Sequence, residues 1–313
     1  MNIKNLGVIV NLAAGSGGHA IEDVTRRAIE MFCDCCIIRP HLGRRREATM
    51  TVAAELSSFV DVILVVGGDG TMSDVAYSLF KEGADIPILG IGAGSTNAGP
   101  LITIKAMEFD KLDLHALTVQ KVGGILTTLN NEQVGLGFND VVLGDTVLTT
   151  LKGRVVQVNA VEFMKGKKIP ASPFRVGTTD SEVYIERSAV EEVEVTLVHK
   201  GVFGQMFAAP LEKRYLGKGL AGGTSLAAAL GLPAGIAITS EPLINYSIGH
   251  EELLDMEPIV TKTASFREHD EVVVRCLREG TCLNIDGTPL VILGTGDEVR
   301  LFYIPAAVRI LKL

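Results

Sequence analysis

Three apolar runs in the first third of the chain are continuous rather than alternating: "LGVIV" from Leu6, "DVILVV" from Asp61 and "IPILGI" from Ile86. A strand with one wet face alternates apolar and polar residues. A strand that is apolar throughout is buried on both faces, as in a parallel sheet covered by helices. Segments with helical spacing lie between the runs, at about Ile21 to Phe32, Glu47 to Ser58 and Met72 to Lys81, and a shorter run, "CCIIR", separates the first two. This alternation predicts an α/β domain whose ligands gather beyond the carboxyl ends of its strands.

From about Lys121 the pattern changes to short β-branched runs broken by Gly, Asn and Asp, such as "VGLGFNDVVL", "EVEVTLVHK" and "EVVVRCL". These predict a mostly antiparallel β domain. The change of pattern alone sets the expected division, residues 1–122 and 123–289. A chain of 313 residues suits two domains, each able to bury a core. The formal net charge of −8 argues against a nucleic-acid partner, because that affinity rests on neutralising phosphates with Lys and Arg. No apolar run approaches the roughly 20 residues that span a bilayer, and the N-terminus lacks the pattern of a signal peptide. A cytoplasmic protein without integral membrane association is expected. The five cysteines, three of them crowded at Cys33, Cys35 and Cys36, fit reduced thiols, and no metal site is expected.

Three Gly-rich loops each follow a predicted strand: "NLAAGSGG", "GGDGT" and "GAGSTNAG". Glycine permits close backbone approach, and backbone N–H groups at a helix start attract anions. Together the loops predict a phosphate site involving Gly15, Ser16, Gly67, Gly68, Gly70, Thr71, Gly94, Ser95, Thr96 and Asn97. Singly, each loop is equally well explained by local turn and capping needs. Gly15, Gly17 and Ala20 nominally match the dinucleotide fingerprint, but "NLAA" separates them from the strand, and no P-loop pattern exists. Asp69, between Gly68 and Gly70, is open to close approach by a ligand; the plainer alternative makes it the N-cap of a helix beginning near Met72. Asn139 and Asp140 fit either ligand contacts or an Asx turn, Asp286–Gly287 reads as a hairpin turn, and Arg44 to Arg46 read as a solvated face or a phosphate contact. None of the six histidines stands in a recognisable triad motif.

"GGDGT", preceded by "DVILVV" and followed by "PILGIGAG", resembles the NAD kinase, diacylglycerol kinase and sphingosine kinase superfamily. "FNDVVLGD" is similar to the Asn-acid pair of NAD kinases, and "GGTSLAAALGLPAG" to their Gly-Ser-Thr-Ala-Tyr segment, with Ala227 or a neighbour where Tyr is expected. "VIVNLAAGSGG" resembles the Asn-Pro-x-x-Gly opening of lipid kinases and of the acetoin catabolism protein X group, with Leu12 in place of Pro. "LNIDGTPL" through "YIPAAVRIL" resembles the Asp-Gly-Glu turn and closing strand of lipid kinases.

The resemblance implies a Rossmann-like α/β domain followed by a β-sandwich, with a tail of about residues 290–313 returning to the first domain and substrates meeting between the two. It implies ATP or another phosphate donor and Mg²⁺, with NAD as a possible substrate. Asp69 would be catalytic, Asn11 would join the phosphate-binding set, and Asn139, Asp140, Thr224 and Ser225 would hold the acceptor. The expected function is an ATP-dependent small-molecule kinase, NAD kinase-like in converting NAD to NADP. The alternatives are a lipid or diacylglycerol-type kinase and a non-catalytic nucleotide-binding regulator. The expected partners are small-molecule nucleotides, and a homo-oligomer is expected although no motif specifies one.

Overall fold

The computed structural model describes residues 3–12, 18–31, 36–41, 46–94, 97, 99–151, 154–171, 173–188, 192–211, 227, 230–242 and 258–313. The chain forms two compact units, residues 1–124 with 305–313, and residues 125–304.

The first unit runs β1 (Leu6–Asn11), α1 (Gly18–Met31), β2 (Cys36–His41), α2 (Arg46–Ser57), β3 (Val62–Gly67), α3 (Asp69–Glu82), β4 (Ile88–Gly92) and β5 (Ile104–Lys105), then a 3-10 turn over Ala106–Lys111. Its strands are parallel in the order β2-β1-β3-β4, with β5 beside β4. The apolar runs are buried on both sides. Leu6, Val8, Val10, Leu64 and Val66 share a core with Ile21 and Val24 of α1 and with Phe109. On the other face α2 and α3 supply Ala53, Leu56, Met72, Val75 and Leu79, all buried. Gly7 has no side chain because Leu56 already stands where its Cβ would go, at 3.1 Å. Burial at about 1.5–3 kcal/mol per large aliphatic side chain is what holds these helices to the sheet.

Two boundaries differ from expectation. Helix α3 starts at Asp69, three residues before Met72, because Gly68 and not Asp69 is its N-cap. Helix α1 starts at Gly18 rather than near Ile21.

The second unit is built from β6 (Thr118–Leu129), which enters from the first unit, and β7 (Glu132–Gly137), β8 (Val141–Gly144), β9 (Thr146–Leu151) and β10 (Arg154–Asn159). Helix α4 (Ala160–Met164) precedes β11 (Gly177–Ser188), β12 (Val193–Lys200), β13 (Gln205–Pro210), β14 (Ala234–Thr239) and β15 (Thr261–Phe266). The last strands are β16 (Asp270–Leu277), β17 (Thr281–Ile285), β18 (Thr288–Leu293) and β19 (Glu298–Lys312). One antiparallel sheet has the order β15-β14-β13-β8-β17-β18, and another path runs β12-β11-β16-β19. A single core joins the two, with Val183, Ile185, Val272 and Leu301 on one side and Leu143, Met206, Ile236 and Leu283 on the other. This is a β-sandwich, and the fold class is the mixed parallel and antiparallel one that the two sequence patterns predict.

β19 crosses the division. Its last residues pair with the first unit's sheet in parallel at Ile310 and Ile88, with Ile310 and Leu311 buried. Among the described residues no helix is long and apolar enough to cross a membrane.

Candidate functional site

The strand order of the first unit creates a crevice. α1 leaves β1 on one face of the sheet while α3 leaves β3 on the other, so the adjacent carboxyl ends of β1 and β3 form a switch point, where open α/β sheets bind ligands. Asn11 closes β1 there, and its Nδ2 donates to Thr71 Oγ1 in the first turn of α3, at 2.8 Å. The loops after β1 and β3 are thus tied side chain to side chain across the crevice.

The loop after β4 joins them through backbone. Ala93 N donates to Gly67 O at 2.7 Å. Asn97, at φ 48°, folds its side chain back on Gly94, accepting from the Gly94 amide and donating to the Gly94 carbonyl, both at 2.7 Å. Gly68 and Gly94 then lie so close that a Cβ on Gly94 would stand 2.7 Å from Gly68 Cα. Close packing between two loops is therefore a sufficient reason for both glycines. A Cβ on Gly67 would likewise meet the Thr71 side chain at 2.9 Å.

Asp69 is the first helical residue of α3, partly exposed, and its Oδ1 accepts from Gly99 N at 2.8 Å. It is not the N-cap residue of its own helix. The N-cap, Gly68, carries no side chain to accept from the first-turn amides, which leaves the cap position open to an anion at the positive end of the helix dipole. The carboxylate is instead a clasp to the loop thirty residues on, and the clasp sets its position at the mouth of the crevice.

Of the expected phosphate-binding residues, the structure brings together Asn11, Gly67, Gly68, Gly70, Thr71, Gly94 and Asn97 around Asp69. Gly15, Ser16, Ser95 and Thr96, and the acceptor candidates Thr224 and Ser225, lie outside the described residues, as do Arg44 and Arg45. Arg46 is engaged elsewhere: its Nε pairs with Asp74 Oδ1 at 2.8 Å, and its guanidinium lies 5.2 Å from the Tyr77 ring centroid. Burial pushes Asp74 up to about 6 in spite of that arginine.

The second unit holds a constellation of its own. Asp286 and Gly287 form the two central residues of the β17–β18 hairpin, with φ of 48° and 75°, as a type I′ turn requires. The turn also has a long-range role that its Asp-Gly signature hides. The Asp286 carboxylate, 7% exposed, accepts from the backbone amides of Phe138 at 2.9 Å, Asn139 at 2.7 Å and Asp140 at 2.9 Å. Asp286 N in turn donates to Asp140 O at 3.0 Å. Burial, and then the Asp140 charge, push Asp286 up to about 7 although the amides favour the anion. Asn139 and Asp140 are thus held as a short loop between β7 and β8. Nearby in sequence, Asp145 is 2% exposed; its Oδ2 accepts from Phe174 N at 3.1 Å, while Oδ1 has no partner. Among the described residues no three metal-ligating side chains cluster.

A family model described as the diacylglycerol kinase catalytic domain matches residues 5–116, which contain every described residue of the switch-point site. An uncharacterized protein of Archaeoglobus fulgidus is 38% identical over 304 residues, covering 91% of each chain. Among solved structures, a diacylglycerol kinase from Bacillus anthracis str. Sterne is similar over 100% of this chain and 98% of its own, with a TM-score of 0.53 and 14% identity, a likeness of fold. Yeast NADH kinase, complexed with NADH, covers 99% of this chain with 83% of its own at a TM-score of 0.49 and 14% identity.

Proposed function

The chain belongs to the NAD kinase and diacylglycerol kinase-like superfamily, and from that premise we propose that it moves a phosphoryl group from ATP to an alcohol hydroxyl. The observation that carries this reading is Asp69: a carboxylate clasped by the Gly99 amide, beside an uncapped helix start, at the switch point of a parallel sheet. Phosphoryl transfer needs positioning and charge neutralisation more than covalent chemistry. Backbone amides of Gly68, Gly70 and Thr71 at the start of α3 suit phosphate oxygens. The Asn11–Thr71 bond fixes the side chains flanking them.

In this reading Asp69 aligns the acceptor hydroxyl. Its oxygen forms a bond to the γ-phosphorus as the bond to the ADP oxygen breaks, and the hydroxyl proton passes to Asp69 and then to solvent. Mg²⁺, when bound with the nucleotide, supplies charge neutralisation. The three loops offer it one carboxylate, Asp69, which suits an ion held mainly by phosphate oxygens and water.

For the acceptor, the match to a diacylglycerol kinase catalytic domain favours a lipid alcohol. NAD is the second reading, favoured by the likeness of "FND" to the NAD kinase pair and by the ordered Asn139–Asp140 loop. Purified protein assayed for ATP consumption with diacylglycerol, sphingosine, NAD and NADH separates the two. Nucleotide-induced thermal shifts with turnover on no acceptor would establish a regulator instead. Asp69→Asn is expected to lower turnover about a hundredfold or more with the fold intact. Nearly full activity in that variant would remove Asp69 from the mechanism.

A further inference from the structure

β12 is the terminal strand of its sheet path among the described residues, paired on one side only, with β11. Over its first five residues it is regular: Val193 pairs Ser188, Glu194 pairs Arg187, Val195 pairs Glu186, Thr196 pairs Ile185 and Leu197 pairs Tyr184. The three alternate residues on one face, Val193, Val195 and Leu197, are all apolar, and they are 60%, 58% and 57% exposed. A large β-branched or γ-branched side chain left this open costs solubility, and three in a row along an unpaired edge are what native sheets avoid unless something covers them. The bulge that would blunt this edge comes too late, at Val198, where Val183 pairs His199 and Tyr184 pairs Leu197.

The rest of that sheet face needs no cover. Next to the stripe, Arg300 pairs with Glu186, Glu271 and Glu298, and Arg275 with Glu298, a network satisfied within the unit. On this sheet face, among the described residues, the exposed large apolar side chains fall on the edge strand, which suits a narrow, strand-like complement.

We propose that β12 pairs with β12 of a second copy of this chain, antiparallel about Val195, to form a two-fold dimer that joins the two sheets edge to edge. The stripe is symmetric about its centre, as an isologous contact requires. Val195 meets Val195, and Val193 of each copy meets Leu197 of the other, so all three apolar residues become cross-strand neighbours. On the other face Glu194 of one copy lies across from Thr196 of the second, whose hydroxyl already accepts from Arg187 Nη1 at 2.8 Å. Each Glu194 therefore faces a hydroxyl across the axis, and no two acids oppose each other. The register ends before the bulge in both copies.

The test uses the full chain. Sedimentation equilibrium is expected to give twice the chain mass, and Val195→Lys, which sets two ammonium groups against each other on the axis, to weaken dimerisation about tenfold or more. Val195→Cys is expected to link the two copies under mild oxidation where the parent chain does not. Directly opposed strand residues sit roughly 4.5–5.5 Å apart at Cα, inside the disulfide range. This second variant decides the matter if the lysine variant fails to fold. A monomeric parent chain would mean that the stripe serves another protein, and would overturn the proposal. A dimer indifferent to Val195→Lys, or one that Val195→Cys does not cross-link, would overturn it as well.

Discussion

A buried carboxylate with one oxygen unpartnered is easier to keep protonated than ionised, and Asp145 is in that position. Burial pushes it up to about 6 from an ordinary 3.8, against the opposing pull of the Phe174 amide and the Arg278 charge. The sign follows from linkage: a raised carboxylate contributes stability that is complete below its unfolded value and is lost as pH rises through the folded one. Unfolding free energy should therefore decline from about pH 4 to about pH 6 on account of Asp145. Asp145→Asn should flatten that decline and leave the protein equally or more stable at neutral pH, as urea titrations at several pH values would show. Asp286 shares the direction, its loss running from about pH 4 to about pH 7, but not the response to mutation. Both of its oxygens accept backbone amides, so Asp286→Asn turns a donor toward a donor and should cost about 1–3 kcal/mol. The hairpin role of Asp286 is written in the Asp-Gly pair. Its hold on the Phe138–Asp140 loop is not, because the two segments lie far apart in sequence and meet only when β17 pairs β8.

At the scale of elements, the join between β3 and α3 depends on the loop after β4. A methyl on Gly94 would press on Gly68 Cα at 2.7 Å, backbone against backbone, with no flexible side chain to yield. Gly94→Ala should cost about 1–3 kcal/mol and weaken ATP binding more than an equally destabilising core change such as Leu64→Ala. Isothermal titration on both variants makes the comparison; equal affinities would separate the loop packing from the nucleotide. Strands and helices of the first unit were legible because uninterrupted Val, Ile and Leu can be solvated on neither face. The start of α3 was not. Gly-Asp-Gly-Thr reads locally as loop, and what draws Asp69 into the helix is the seating of Gly68 on Gly94 and the clasp from Asp69 to Gly99.

At the scale of the whole molecule, the end of the chain's last strand belongs to the same unit as residues 1–124. Removing residues 305–313 takes away buried Ile310 and Leu311, the Arg309–Asp85 pair and the Lys312 bond to the Ile102 carbonyl. Those contacts all fall within residues 1–124 and 305–313. The truncated chain should lose the cooperative unfolding of that unit while the β-sandwich persists, so limited proteolysis should leave a core near residues 125–304. Equal resistance of both units would show the tail to be dispensable. The amino-acid sequence by itself determined the two fold classes, since burial on both faces and burial on one face impose different hydrophobic periods on any chain. It also singled out the glycine-rich turns, because few other residues tolerate such close backbone approach. Which turns converge, that Asp69 clasps Gly99, that a buried Asp286 organises a distant loop, and that one edge strand is left apolar were decided only by tertiary structure. Each depends on contacts between residues remote in sequence, and a local pattern carries no record of its partner.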